Sequence, residues 1–196
     1  NYWQDHYMLH YNKQLANSGM FNLGLHFTHG EGYYEQYKNG QDFVDYGLNN
    51  VIVGNDTITE TDLIRRKWLD NDFYGAIFSY NNNLNKLDYT LGGGWNTYDG
   101  RHYGVVRWAE YASNSQIDHI YYDNDGIKTD FNIYAKGLYQ FNDDVTVYAD
   151  LQHRQIDYSF LGKDENGAGL NDTVNYEFFN PKFGAYYQID NKKSAF

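Results

Sequence analysis

The stretch FNLGLHFT, Phe21–Thr28, decides how this chain folds. Phe21, Leu23, Leu25 and Phe27 alternate with Asn22, Gly24, His26 and Thr28. Successive side chains of a strand point to opposite faces, so a strict period of two marks a strand with one apolar and one polar face.

The same pattern recurs on both sides of this segment. Upstream, across a polar break at Ala16–Gly19, Tyr7, Leu9 and Tyr11 alternate with His6, Met8, His10 and Asn12. Downstream, Tyr74, Ala76, Phe78 and Tyr80 share one face of a run that begins near Ile64, although Ile77 blurs the contrast. Further runs centre on Leu87–Trp95, Phe131–Tyr139, Val147–Leu151 and Phe183–Ile189, and an eighth begins as the chain stops. The connections alternate in length. Short turns are expected near residues 15–20, 81–86, 141–145 and 190–193, and long glycine-bearing loops near 30–62, 99–128 and 157–176, with a small hairpin at Asn49–Thr59.

This order predicts an all-β fold: an antiparallel up-and-down meander of about seven to eight strands, a partial barrel domain over residues 1–196. Tight turns at one end and long loops at the other are how transmembrane barrels are built, whereas Greek-key sandwiches mix connection lengths. The polar face carries His10, His26, Asn132, Lys136, Asp150 and Arg154, which are expected to face a water-filled lumen. The other face has no ionised side chain in the clear strand centres and needs either lipid or a core; the loop order favours lipid. Gly24, Gly75, Gly92, Gly94 and Gly184 on the lumen face are expected to leave open space. A small closed barrel fills its interior with side chains. The chain also begins inside a strand and stops just after a turn, so a wall segment of a larger transmembrane barrel is expected.

Composition agrees. The 196 residues include 22 Tyr, 12 Phe, 4 Trp and one Pro, a mixture suited to long strands that keep their ladder bonds. No apolar run reaches the length of a transmembrane helix and mean hydropathy is −0.79, which excludes a helical span but not a barrel. A net charge of −11 argues against nucleic acid as a partner. With no cysteine there is no disulfide framework or thiol chemistry.

Sites for chemistry are few. His10 and His26 are cross-strand neighbours if the first hairpin pairs symmetrically, but no third metal ligand accompanies them, and two solvated polar residues are the expected outcome. DNDG at Asp123–Gly126 and DENGAG at Asp164–Gly169 lack the ligand order of a calcium loop and are expected to be turns. IRRK at Ile64–Lys67 is expected to be a solvated patch on the descending limb of a loop. No nucleophile, Walker or dinucleotide motif is present, so no enzyme, cofactor or resident metal is expected.

Six segments in order resemble the barrel region of TonB-dependent receptors: GYYEQYK at Gly32–Lys38, RRKWLDNDFYG at Arg65–Gly75, LGGGWNTYDGRHYG at Leu91–Gly104, YASNSQIDH at Tyr111–His119, KTDFNIYAK at Lys128–Lys136 and FFNPKFG at Phe178–Gly184. The resemblance implies a Gram-negative outer-membrane location and import of a scarce nutrient such as an iron chelate, cobalamin or an oligosaccharide. It implies as partners a plug domain of the same parent chain, TonB, the lipid bilayer and a small-molecule or oligosaccharide substrate. The long loops then face outward, and Tyr33, Tyr34, Tyr37, Trp108 and Tyr111 become candidates for substrate contact, because aromatic rings offer rigid stacking surface. Two other classes stay open: a nonselective porin-like barrel, and a soluble or secreted glycan-binding β-protein, suggested by the Tyr, Trp, Asn and Asp enrichment.

Overall fold

The computed structural model describes residues 1–16 and 18–196; Asn17, inside the first expected turn, lies outside the described residues. The strands are β1 (Tyr2–Gln14), β2 (Met20–Asp42), β3 (Val51–Val53), β4 (Asp56–Ile58), β5 (Glu60–Leu84), β6 (Leu87–Ala109), β7 (His119–Gln140), β8 (Val145–Lys163), β9 (Gly169–Asp190) and β10 (Lys193–Ala195). Eight form one antiparallel sheet in the order β1-β2-β5-β6-β7-β8-β9-β10, each beside its neighbour in the meander. The sheet is open, β1 and β10 being its edges. Between β2 and β5, β3 and β4 pair as a separate hairpin inside the span expected for one.

The strands run much further than the alternation predicts. The expected long loops near 30–62, 99–128 and 157–176 shrink to 43–59, 110–118 and 164–168, the rest being ladder. Beyond Phe27 the two faces of β2 are His29, Glu31 and Glu35 against Gly30, Gly32 and Gln36, so apolar contrast disappears while backbone pairing continues without a break to Lys38. Glycines read as loop signals, among them Gly30, Gly32, Gly100 and Gly126, lie inside strands. DNDG at Asp123–Gly126 is likewise strand and not a turn.

The turn expected at 81–86 shrinks to 85–86, Asn81–Leu84 being strand, and the connections at 141–144 and 191–192 are short. Asn85 takes a left-handed conformation (φ 54°) in the two-residue turn between β5 and β6, which an Asn tolerates better than most side chains. Asn142 Oδ1 accepts the backbone N–H groups of Asp144 (3.0 Å) and Val145 (2.8 Å) between β7 and β8. Asp190 Oδ1 accepts that of Lys192 (2.7 Å) before β10.

Register aligns the apolar residues into continuous rows. Leu9, Leu25, Ala76, Trp95 and Phe131 form one; Tyr11, Leu23, Phe78, Gly93 and Ile133 form the next. Towards the long connections the band stops within a single step. On β1, β2 and β5 the row Tyr7–Phe27–Tyr74 is followed on the same face by Asp5–His29–Asp72; on β6 the polar Thr97 already precedes Asp99. On β9 the apolar residues run from Phe179 to Ile189, which at a typical rise and a 45° tilt spans roughly 24 Å. The large side chains of this face have no cover from the chain itself: Phe183 is 70% exposed and Phe179 66%.

A small core lies instead at the long-connection end. The 3-10 turn Phe43–Tyr46 folds onto the polar face, where Phe43, Tyr46 and Leu48 pack with Leu63 of β5 and Val106 of β6. Phe43 and Leu63 are fully buried. His119 Nε2 and the Tyr46 carbonyl lie 2.8 Å apart, which ties the turn to β7.

The expectation that polar-face glycines leave space is overturned. A Cβ at Gly92 would lie 2.5 Å from the Tyr134 hydroxyl, and one at Gly184 2.2 Å from the Tyr148 ring, so tyrosines lie flat over the bare backbone. Gly24 and Gly94 are covered by Ile77, each within 3.1 Å of a Cβ built there. Gly75 is tight against backbone, with the Trp95 carbonyl oxygen at 2.3 Å.

Candidate functional site

On the polar face, beyond the apolar band on the long-connection side, lies a cavity of about 630 Å³ lined by Tyr34 of β2, Lys67 and Leu69 of β5, His102 of β6, Tyr122 and Asn124 of β7, and Glu165 of the β8–β9 connection, among others. Its floor comprises two ladder rows. Tyr34, Lys67, Gly104 and Tyr122 make one; Gly32, Leu69, His102 and Asn124 make the other. The missing side chain of Gly104 admits the Tyr122 ring, which a Cβ there would meet at 2.3 Å.

Charge is unequally divided between the faces, although Lys13, Arg66 and Arg101 stand on the outward one. By register Lys38, Arg65, Lys67, Lys128, Lys136, Arg154 and Lys182 lie on the polar face, with Asp88, Asp130, Asp150, Asp172 and Asp190. The acids Asp5, Glu31, Glu35, Asp70, Asp72, Asp99 and Asp123 lie on the opposite face. A chain of net charge −11 therefore presents a polar face richer in cations than in carboxylates.

Of these cations, Lys67 lines the cavity. Lys67 is largely buried and forms an ion pair with Glu165. Burial first, then Arg65 and Lys38, hold its ammonium below the usual lysine value. Arg65, one strand repeat away on the same face, donates to Gln36 Oε1 (3.2 and 3.1 Å) and to the Tyr46 hydroxyl (3.1 Å), with no carboxylate partner among the described residues. Burial pushes the Tyr122 hydroxyl up to about 12. Beside Arg65, the Tyr121 hydroxyl is buried.

Of the five aromatic candidates, Tyr34 alone brings its ring to the cavity floor. Tyr33, Tyr34 and Tyr37 lie in β2 and Trp108 in β6, so these four stand on strands and not on loops; Tyr111 is in the 110–118 connection. Although Tyr33 borders the cavity, its ring stacks on the opposite face against Trp68 (4.6 Å between centroids), which lies parallel to Tyr103 at 5.9 Å. Arg66 sits 4.2 Å over Tyr33 and Arg101 4.5 Å over Tyr103, completing an outward aromatic row. Tyr37 donates to Asp62, again outward. The Tyr111 backbone N–H donates to Thr61 Oγ1 (3.0 Å).

The lumen candidates all share the polar face. His10 stands opposite Gly24 and His26 opposite Met8, so the two imidazoles are not direct partners. His26 Nε2 instead meets Asn96 Oδ1 at 2.8 Å, reaching across Gly75. No group of three or more potential metal ligands occurs among the described residues. Arg154 grips Asp130 through Nε (3.0 and 3.1 Å) and Nη2, Lys136 pairs with Asp150 at 3.9 Å, and Asn132 lies opposite Arg154. In DENGAG, Asp164 Oδ1 accepts the N–H groups of Asn166 (2.9 Å) and Ala168 (2.8 Å), a side-chain-closed turn.

The IRRK segment departs most from expectation. It is β-strand, and its period of two sends Arg65 and Lys67 to the cavity face and Ile64 and Arg66 to the other. That alternation, extended back from Tyr74, is the one sequence signal that could have found Lys67.

No family model matches this chain. No curated protein matches it either.

Proposed function

We propose that this chain is part of the wall of a Gram-negative outer-membrane barrel of the TonB-dependent receptor kind, which imports a scarce nutrient. The observation that carries the reading is the abrupt edge of the apolar band on β1, β2 and β5, where Tyr7–Phe27–Tyr74 give way to Asp5–His29–Asp72 in one row. A face that is uncovered, apolar over about 25 Å and bounded by aromatics suits lipid, and bare phenylalanines such as Phe183 have no place on a soluble surface. The polar face then lines a lumen, the cavity lies on its outward side, and the six resembling segments favour a receptor over a porin. In this reading a plug domain of the parent chain and TonB are its partners, and the transported solute enters past the cavity. The role is passage and recognition, with no enzymatic step.

The test is membrane insertion of the intact protein with Phe183→Arg. In a lipid-facing position near mid-bilayer this substitution costs about 2–4 kcal/mol, so folding into bilayers, read by heat-modifiable gel migration and urea titration, is expected to weaken by that amount. Unaltered stability, together with full solubility of the wild type without detergent, refutes the barrel reading. The outward row Tyr33–Trp68–Tyr103 would then stand as a stacking platform for a soluble glycan-binding protein.

A further inference from the structure

We propose that the cavity takes the carboxylate of a small solute carrying a planar ring, and that Glu165 is a built-in substitute for that carboxylate. The inference rests on the importer reading for the side from which the solute arrives, and otherwise on geometry. Glu165 belongs to the β8–β9 connection, yet its carboxylate reaches Lys67 on β5 at the cavity wall, with β6 and β7 lying between these strands in the sheet. An ion pair between such separated elements marks a place where a carboxylate is already accommodated.

The surroundings have room for a second anion. Arg65, one strand repeat from Lys67 on the same face, meets only neutral acceptors, so these two cations share one carboxylate among the described residues. Tyr34 and Tyr122 occupy the same ladder row as Lys67, one on each side, and offer rings for a planar body next to the charge. A volume of about 630 Å³ lies in the range of small-molecule sites. The connection that carries Glu165 is closed by its own turn through Asp164, so the side chain can swing away without breaking a ladder bond.

Displacement makes a signed prediction. Ligand-observed saturation-transfer NMR on the intact protein in non-ionic detergent compares benzoate with its neutral isostere benzamide and with inorganic phosphate. Benzoate is expected to bind and benzamide not. Glu165→Gln removes the competitor and is expected to tighten benzoate at least threefold, whereas Lys67→Gln weakens it tenfold or more and Lys67→Arg retains binding. Equal binding of benzoate and benzamide, or a benzoate affinity unmoved by Glu165→Gln, overturns the proposal. Phosphate binding as tight as benzoate overturns its ring component. Should Lys67→Gln fail to fold, Glu165→Gln alone decides, since Glu165 is about half exposed and lies outside the strand ladder. A wild type that does not insert in membranes but shows the benzoate pattern would sink the importer reading and leave this one standing; insertion without the pattern does the reverse.

Discussion

Replacing Gly75 by alanine adds one methyl group to a sheet position, a change that ordinarily helps a strand by restricting the unfolded chain. Here it should harm. An alanine Cβ at Gly75 lies 2.3 Å from the Trp95 carbonyl oxygen, 2.8 Å from Asn96 Cα and 2.5 Å from Asn96 Oδ1. Two of these atoms are backbone of the neighbouring strand, and β6 cannot recede without stretching its ladder bonds to β5. Overpacking of this kind costs about 1–3 kcal/mol. The side-chain atom belongs to Asn96, whose Oδ1 meets His26 Nε2 at 2.8 Å directly across the glycine. Displacing it forfeits a partly buried hydrogen bond, about 0.5–1.5 kcal/mol. The sum is a loss of roughly 1.5–4.5 kcal/mol. Gly137→Ala is the internal control: its Cβ would have only Leu87 Cδ1 at 3.6 Å, an ordinary contact, and should be neutral or stabilising by about 0.4–1 kcal/mol. Urea unfolding of the two variants and the wild type in the same detergent measures the difference. Equal midpoints for Gly75→Ala and Gly137→Ala would refute the claim that close backbone approach dictates glycine at this position.

Leu63→Ala should destabilise by about 2–5 kcal/mol, because Leu63 is fully buried against Phe43 and Val106; the loss should appear first as protease cleavage within 43–59, the segment this core anchors. A double-mutant cycle of Arg154→Met and Asp130→Asn should give a coupling of about 0.5–3 kcal/mol, reflecting the two-nitrogen grip of the guanidinium on that carboxylate. The same cycle on Lys136 and Asp150, 3.9 Å apart with Lys136 exposed, should fall within about 0–1 kcal/mol. Mutating Tyr103 to Ser should leave the benzoate response intact, since its ring stacks with Trp68 on the opposite face from Lys67.

Where lipid or core demands a clean apolar face, the alternation is visible in the chain, and there the sequence alone determined the all-β meander, the tight turns and the face of every strand centre. Phe21–Phe27 and Phe131–Ala135 occupy the face they predict, and Lys136, Asp150 and Arg154 occupy the other. Once the two faces of a strand no longer differ in polarity, as in Gly30–Lys38 and Arg101–Arg107, periodicity carries no contrast and the strands read as loops. The ladder persists there because backbone hydrogen bonds do not depend on side-chain polarity. Tertiary structure alone decided the rest. It extended β5 back through Ile64–Lys67, turned Tyr34 inward and Tyr33 outward, and carried Glu165 to Lys67. The pairing of residues 98 apart is set by how several strands and one connection are disposed in space, and no local pattern in the chain encodes it.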